Sequence, residues 1–285
     1  MAASPRTSPI DDASPEIIEN NPEPAHYNMM EFITRKMQSI FPLAMTALLL
    51  AVSGPMMAAE AKSGMQTAQE LKIKTGNKEA TLGYWLFLPK SYDQNKSWPL
   101  MLFLHGAGER GDDLNQVKKW GPPKRVGSKK DFPFVVISPQ CPKNKRWEPA
   151  QLHSLIEHVA ASHKIDRSRM YCTGLSMGGY GTWAMIAKYP KLFAAVIPVC
   201  GGGDPSTAKK ITEVPIWAFH GGADRVVPAS RSQSMVDAIK KAGGTKAKLT
   251  IYPGVNHNSW SKTYANEKVY AWLLSHSKAK EEGNK

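Results

Sequence analysis

One serine stands in a pattern that suits nucleophilic catalysis. Ser176 is the centre of Gly174-Leu175-Ser176-Met177-Gly178. A Gly-x-Ser-x-Gly pattern is typical of a sharp turn from a strand into a helix that exposes the serine hydroxyl. The glycines permit this turn because larger side chains there would collide. The sequence therefore predicts a serine nucleophile, and the structural alternative is an ordinary glycine-rich turn.

A serine becomes a good nucleophile only when a base takes its proton, so a histidine and an orienting carboxylate are also required. In folds that carry this serine turn, the chain order is Ser, then Asp or Glu, then His. Asp224 in FHGGADRVVP and His257 in YPGVNHNSW follow strand-like runs and satisfy that order. We therefore expect Ser176, Asp224 and His257 to form a catalytic triad.

Other residues compete for the acid and base roles. Asp204, in CGGGDP, also follows an apolar run and is the alternative acid. His220 precedes the turn that carries Asp224, so we expect it to support that loop. Three further histidines fall on predicted helices, where surface or packing roles are expected: His153, His163 and His276. His257 therefore remains as the expected base.

The oxyanion of a tetrahedral intermediate needs hydrogen-bond donors. They are usually the backbone N–H after the nucleophile and one from the loop after an early strand. Met177 supplies the first. Ala107, in the run HGAG directly after an apolar segment, is placed to supply the second. We expect His105 to be structural, and Glu109 and Arg110 to brace this loop.

Strand-like and helix-like segments alternate along the chain from residue 69 onward. An opening pair of strands is predicted at residues 71–74 and 81–88. Continuous apolar runs, typical of strands buried on both faces of a parallel sheet, follow at residues 99–104, 134–138, 170–173, 194–199, 214–219 and 249–252. Helical patterns occupy residues 151–163, 177–188, 230–242 and 264–276. This alternation predicts an α/β fold with a mostly parallel sheet, and ligands at the carboxyl ends of its strands.

The motifs LFLHGAGERGDD, SPQCP, GLSMGGYGTW, CGGGDP, FHGGADRVVP and GVNHNSW occur in an order that resembles the α/β-hydrolase superfamily. The resemblance is to bacterial secreted esterases of the dienelactone hydrolase and feruloyl esterase-like type, also described as phospholipase/carboxylesterase or prolyl-oligopeptidase-like. It extends over residues 71–276 and implies the triad and oxyanion hole named above. Dienelactone hydrolases proper use a cysteine nucleophile, so Ser176 favours ordinary esters.

The alternation of strands and helices predicts a doubly wound sheet with helices on both faces. We expect a catalytic domain at residues 62–276, followed by a polar tail at 277–285. The short connections predict that there is no large cap domain. The implied activity is carboxylic ester hydrolysis through an acyl-enzyme, without a cofactor or metal ion. Two alternatives stay open: a serine peptidase of prolyl-oligopeptidase type, and a non-catalytic binding protein on the same fold.

Aromatic and basic residues near these loops have two interpretations. Trp147 and Trp260 either wall an acyl or sugar pocket or pack in the core. Basic pairs surround Trp120 in a long connection, at residues 118–119, 124–125 and 129–130. A solvated loop is the simpler interpretation of this connection. The functional interpretation is a preference for anionic or polysaccharide-linked esters.

Charge and cysteine content narrow the expected partners. The 285-residue chain has a net charge of +13, but its lysines are scattered and no nucleic-acid module accompanies them. We therefore expect a small-molecule or polysaccharide-linked ester as the partner, and no nucleic acid. Three separated cysteines match neither a disulfide framework nor a zinc site. Cys172 is expected in the core, whereas a bridge between Cys141 and Cys200 stays open.

The first 61 residues differ from the rest. Residues 1–28 are rich in Pro, Ser and Asn, which predicts a disordered segment or a mis-assigned start. In residues 29–61, Arg35 and Lys36 precede an apolar run at 40–52 and then small residues. This order is typical of a secretory signal peptide, and the run is short for a membrane span of about 20 residues. We expect a secreted or periplasmic protein without a stable membrane anchor; an anchor or a buried helix is the alternative.

Overall fold

The computed structural model describes residues 60–75 and 78–279. The predicted segment at 1–28, nearly all of the predicted signal region and the end of the predicted tail lie outside the described residues. Within the described part, every helix is too short or too polar to cross a membrane.

One sheet of eight strands organises the described residues. The strands are β1 (Gln66–Thr75), β2 (Lys78–Phe87), β3 (Trp98–Leu104), β4 (Val135–Pro139), β5 (Ile165–Leu175), β6 (Ala195–Val199), β7 (Ile216–Gly221) and β8 (Ala247–Tyr252). Their order across the sheet is β1-β2-β4-β3-β5-β6-β7-β8. β1 and β2 pair antiparallel, β2 also pairs antiparallel with β4, and every other neighbouring pair is parallel. The predicted mostly parallel sheet is therefore confirmed.

The helices lie between the strands, with two differences from the sequence pattern. They are α1 (Gly121–Arg125), α2 (Pro149–Ser162), α3 (Met177–Lys188), α4 (Ser230–Lys241), α5 (Trp260–Ala265) and α6 (Glu267–Leu274). The prediction of one helix over 264–276 is wrong. Asn266 has extended backbone angles between α5 and α6, and its side chain accepts a hydrogen bond from the N–H of Lys268. This cap starts a new helix, because an asparagine oxygen there satisfies a free N–H of the first turn. The second difference is that α1 and a 3-10 helix at Leu114–Lys119 occupy part of the connection that was interpreted as a solvated loop.

Alternating side chains of the central strand β3 enter two separate cores. Leu100, Leu102 and Leu104 pack in the core that contains the buried faces of α2, α3 and α4. Met101 and Phe103 pack in the core that contains those of α5 and α6. Because successive side chains of a strand point to opposite faces, helices cover both faces of the sheet, as predicted.

The carboxyl ends of the central strands are level with one another. Leu104 pairs with Gly174, Leu175 pairs with Val199, and Val199 pairs with Phe219. The loops that follow β3, β5, β6 and β7 therefore emerge at the same edge of the sheet. This edge is where ligands bind in open parallel sheets.

The three cysteines are all buried and free. Cys172 lies in β5 within the core, as predicted. Cys141 and Cys200 do not form the bridge that the sequence left open.

Candidate active site

The turn at Ser176 is strained, and its glycines are required by close backbone contacts. Ser176 has φ of 52° and ψ of −114° between the end of β5 and the start of α3. A Cβ at Gly174 would lie 2.3 Å from the carbonyl oxygen of Gly178, and one at Gly178 would lie 1.9 Å from that of Leu104. A non-glycine residue in such a region costs on the order of 1–3 kcal/mol and persists only where its surroundings hold it.

Residues at the end of β6 and directly after it hold the strained serine in place. The N–H of Ser176 donates to the carbonyl oxygen of Val199 at 2.9 Å and lies 3.3 Å from Sγ of Cys200. Cys200 itself has a positive φ of 41°. Sequence reasoning missed this role of Cys200, because its only signal is a position directly after a predicted strand.

The three residues predicted as a triad lie within hydrogen-bonding distance. Nε2 of His257 is 2.9 Å from Oγ of Ser176, and Nδ1 of His257 is 2.7 Å from Oδ2 of Asp224. Asp224 follows β7 and its side chain is fully buried, whereas that of His257, which follows β8, is 19% exposed. A carboxylate only accepts hydrogen bonds, so Nδ1 carries the hydrogen and Nε2 is free to accept the serine proton.

The backbone of its own loop holds the carboxylate of Asp224. Oδ1 accepts hydrogen bonds from the N–H groups of Val226 and Val227, both at 2.9 Å. Burial by itself raises the pKa of Asp224, but the hydrogen bonds from His257 and from these two N–H groups outweigh it and hold the pKa below its ordinary value. Asp224 is therefore a carboxylate that can stabilise a protonated His257.

The alternative residues occupy other positions. Asp204 is exposed, and its Oδ1 accepts from the N–H of Ser206 at 2.9 Å at the start of a 3-10 helix, so it is a helix cap and not a partner of His257. His220 is fully buried and lies 2.9 Å, through Nε2, from the carbonyl oxygen of Val227. It supports the Asp224 loop, as expected.

The two predicted oxyanion donors face the same cleft as Ser176. Met177 is the first residue of α3, and Ala107 is the first residue of a 3-10 helix at Ala107–Glu109. The N–H groups at the start of a helix have no partner inside it, so both are available to a ligand. Ala107, Met177 and Ser176 all line that cleft.

Hydrogen bonds brace the loop that carries Ala107, as expected from Glu109 and Arg110. Oε2 of the buried Glu109 accepts from the N–H of Gly106 at 3.1 Å. Nε of Arg110 donates to the carbonyl oxygen of Ala107 at 3.1 Å. These contacts hold Ala107 from both sides.

His105 has the structural role that was expected. Its Nδ1 lies 2.7 Å from the carbonyl oxygen of Gly106, and its Nε2 accepts from the N–H of Cys141 at 3.0 Å. Burial lowers the pKa of His105 to about 4, so it is neutral and stays in one tautomer at neutral pH. It ties the loop that carries Ala107 to the loop after β4.

A cleft of about 750 Å³ runs from Ser176 along α3. Its aromatic wall consists of Trp147, Tyr180 and Trp183. Trp147 is 9% exposed and its Nε1 donates to the carbonyl oxygen of His105 at 3.2 Å, so this residue both packs and lines the cleft. Sequence reasoning missed Tyr180 and Trp183, which helical periodicity alone cannot distinguish from core residues.

Basic side chains join this cleft at its polar rim. Arg110, Arg146 and Lys188 line it together with Asp204. Among the described residues, no carboxylate pairs with any of the three cations. The cleft is therefore apolar and aromatic inside, with an excess of positive charge at its rim.

Trp260 lies against His257 and outside the residues that line the cleft. The two rings meet edge to face with centroids 5.3 Å apart, and Trp120 contacts Trp260 in turn at 6.0 Å. Lys119 and Lys124 lie 5.8 and 5.2 Å from the ring of Trp120. The basic connection thus reaches His257 through Trp120 and Trp260, whose rings meet edge to face.

Comparison with known proteins identifies related chains. The model of the dienelactone hydrolase family matches residues 60–283. The chain is 25% identical over 189 residues to poly(3-hydroxyalkanoate) depolymerase C of Paucimonas lemoignei, covering 62% of this chain and 45% of that protein. It is 25% identical over 173 residues to probable feruloyl esterase C of Aspergillus terreus, covering 58% of this chain and 63% of that protein.

A solved structure is also similar. The crystal structure of a thermostable esterase matches with a TM-score of 0.64 and 35% sequence identity, over 74% of this chain and 63% of that chain. The chain spans less than two thirds of the length of each of these three proteins. With the sheet described above, the matches confirm the predicted α/β-hydrolase fold.

Proposed function

Because the chain belongs to the dienelactone hydrolase family, we propose that it is a serine esterase that cleaves carboxylic esters through an acyl-enzyme. The observation that carries this proposal is the position of His257, which lies 2.9 Å from Oγ of Ser176 and 2.7 Å from Oδ2 of Asp224. The names of the relatives, a thermostable esterase, a probable feruloyl esterase and a poly(3-hydroxyalkanoate) depolymerase, support ester hydrolysis as the reaction.

In the acylation step, Nε2 of His257 takes the proton of Ser176 while Oγ attacks the ester carbonyl carbon. The negative charge moves to the carbonyl oxygen, where the N–H groups of Ala107 and Met177 stabilise it. The tetrahedral intermediate collapses as the bond to the alcohol oxygen breaks. His257 gives its proton to this oxygen, which leaves as the alcohol.

In the deacylation step, water loses a proton to His257 and attacks the acyl carbon. Collapse of the second intermediate breaks the bond to Ser176 and returns the proton to Oγ, so the acid is released and the enzyme is restored. Asp224 orients His257 in both steps and stabilises its protonated form. In each step His257 takes up one proton and gives it back, and the two steps need no cofactor.

For the substrate, we propose esters whose acyl group is aromatic or extended. The departing oxygen must lie beside His257, so the acyl group points away from it, toward the cleft that Ala107, Met177 and Trp147 line. A cleft of about 750 Å³ is large enough for such a group. Trp260 and Trp120 then face the alcohol, which supports an alcohol that is part of a carbohydrate. A polysaccharide-linked ester is the polymeric form of this substrate.

We also propose export from the cytoplasm, which rests on the sequence pattern of residues 29–61 alone. Protein recovered from outside the cells should lack these residues. Exported protein whose amino-terminal sequence still includes residues 1–28 would contradict removal of this segment, and protein found only inside the cells would overturn the proposal of export.

The activity is tested by covalent labelling and an ester panel. A fluorophosphonate probe should label the wild type and leave Ser176→Ala unlabelled, with circular dichroism confirming that the variant is folded. The panel compares acetyl, longer acyl and feruloyl esters with a peptide amide of matched leaving group. A wild type that resists the probe, or that cleaves the amide faster than the esters, would overturn the proposal.

A further inference from the structure

His220 is a buried histidine behind the acid, and the steps above make no use of it. It lies near the end of β7 and its side chain is fully buried. Its Nε2 is 2.9 Å from the carbonyl oxygen of Val227 and 3.3 Å from Oδ2 of Asp224. Oδ2 is the same carboxylate oxygen that His257 contacts. His220 and His257 therefore approach one oxygen from two sides.

The hydrogen positions on His220 follow from its neighbours. A backbone carbonyl only accepts hydrogen bonds, so Nε2 must carry a hydrogen to bond Val227. On the other side, Nδ1 lies 2.7 Å from Oγ of Ser232, which also lies 2.9 Å from the carbonyl oxygen of Gly201. Oγ donates its one hydrogen to the carbonyl oxygen of Gly201, and its contact with Nδ1 is the second contact of the hydroxyl. The carbonyl oxygen of Val227 thus places a hydrogen on Nε2.

The burial of His220 favours a neutral ring. Burial lowers the pKa of His220, and the hydrogen bond to Val227 and the charge of Asp224 oppose this only in part. The titratable groups that interact with the ring are Asp224, in the loop after β7, and His257, after β8. Cys200, after β6, interacts with Asp224 in turn. Burial raises the pKa of Cys200 to about 12, so this thiol stays neutral.

From this geometry we propose that His220 is a positioning residue that acts on the reaction through Asp224. Nε2 lies 3.3 Å from Oδ2, so the partial positive charge of its N–H group is beside the carboxylate. This charge reduces the pull of the carboxylate on a proton of His257. His220 therefore keeps His257 unprotonated, and able to act as a base, at a lower pH than Asp224 alone would allow. The inference rests on the proposed function only in taking His257 as the base.

The test follows the imidazole of His257 by nuclear magnetic resonance during a pH titration, in the Ser176→Ala protein. No hydrolysis is needed, so a failure of the proposed function leaves this measurement intact. Signals are assigned by their loss in His257→Gln. Three further substitutions are compared in the same background: His220→Leu, His220→Gln and Ser232→Ala.

His220→Leu removes the N–H and should move the titration midpoint of His257 to higher pH by roughly half a unit. His220→Gln retains an N–H near the position of Nε2. Its titration midpoint for His257 should therefore return most of the way to that of the Ser176→Ala parent. Ser232→Ala is the matched control, because it removes a hydrogen bond of the same ring and leaves Nε2–H in place. The titration midpoint of His257 in Ser232→Ala should equal that in the Ser176→Ala parent.

The sign of the shift separates this role from a purely structural one. If His220 merely held the loop, its removal would let Asp224 drift from His257, and the midpoint would fall. A fall, or an unchanged midpoint in a folded His220→Leu protein, overturns the proposal. Should that variant not fold, the tautomer of His220 in the wild type decides the matter: nitrogen shifts that show a hydrogen on Nδ1 and none on Nε2 overturn it as well.

Discussion

The loops after β6 and β7 are alike in sequence and opposite in use. Each is rich in glycine and carries one aspartate shortly after a buried parallel strand. Asp204 in the first loop is exposed, caps a 3-10 helix and lies at the rim of the cleft. Asp224 in the second loop is buried, accepts hydrogen bonds from two backbone N–H groups and contacts His257.

An aspartate in the loop after a parallel strand is therefore not sufficient to form a contact with His257. The loop after β7 folds back so that the N–H groups of Val226 and Val227 and the ring of His220 surround the carboxylate. The loop after β6 instead opens toward solvent and lines the cleft with Gly202, Gly203 and Asp204. We therefore expect the second loop to control the rate for all esters, and the first to control which esters bind.

The largest effect should come from exchanging each aspartate for its amide. Asp224→Asn should lower kcat by about 10³–10⁴, because an amide cannot stabilise a protonated His257 or hold its tautomer. Asp204→Asn should change kcat by less than about threefold, since its role as a cap is retained by asparagine. Steady-state kinetics with a neutral acetate ester measure both. Equal losses in the two variants would erase the distinction between the loops.

Filling the cleft should have a smaller and selective effect. Ala184 lines it from α3, so Ala184→Leu should lower kcat/KM by about 10-fold or more for a feruloyl-sized acyl group, since a buried steric conflict costs roughly 1–3 kcal/mol. Acetyl esters should be nearly unaffected. Ala161→Leu, on the exposed end of α2, is the matched control. An equal loss of kcat/KM for feruloyl-sized and acetyl esters would show that the cleft does not bind the acyl group.

The charge at the rim should have a weaker effect still. Arg110, Arg146 and Lys188 face the cleft beside Asp204, so Asp204→Asn should raise kcat/KM for an ester with an anionic acyl group by about twofold. Added salt should lower the rate with this ester and leave a neutral ester unchanged, because it screens exposed charges. The same salt response for both esters would contradict this prediction.

The smallest expected change is a dependence of stability on pH. Folding lowers the pKa of Asp224, so its ionised form stabilises the folded protein above the ordinary pKa of an aspartate, and this contribution is lost as the pH falls through the lowered value. Asp224→Asn should therefore lose less stability than the wild type when the pH is lowered from about 5. Urea unfolding at a series of pH values measures this. Parallel curves for the two proteins would show that the carboxylate contributes nothing in this range.

Much of the fold could be predicted because apolar runs and helical periodicity mark buried strands and amphipathic helices. The parts of the fold that the sequence did not predict are those where the side-chain pattern carries no information about the backbone structure. β1 begins at Gln66 and not at Leu71, since its first residues are held by pairing with β2 and not by apolar side chains. The break at Asn266 interrupts a helical pattern through a local cap that periodicity does not reveal.

The sequence by itself determined the serine turn, the order Ser176, Asp224, His257 and the class of the sheet. Those features are local or periodic, so the glycines, the apolar runs and the positions of residues after predicted strands are enough to predict them. Only the tertiary structure decided that Asp224 and not Asp204 meets His257, that Cys200 contacts the N–H of Ser176, and that Trp147 lines the cleft while Trp260 packs on His257. The physical reason is that these roles depend on the direction and burial of side chains from distant strands. Both are set when loops fold back on the sheet edge.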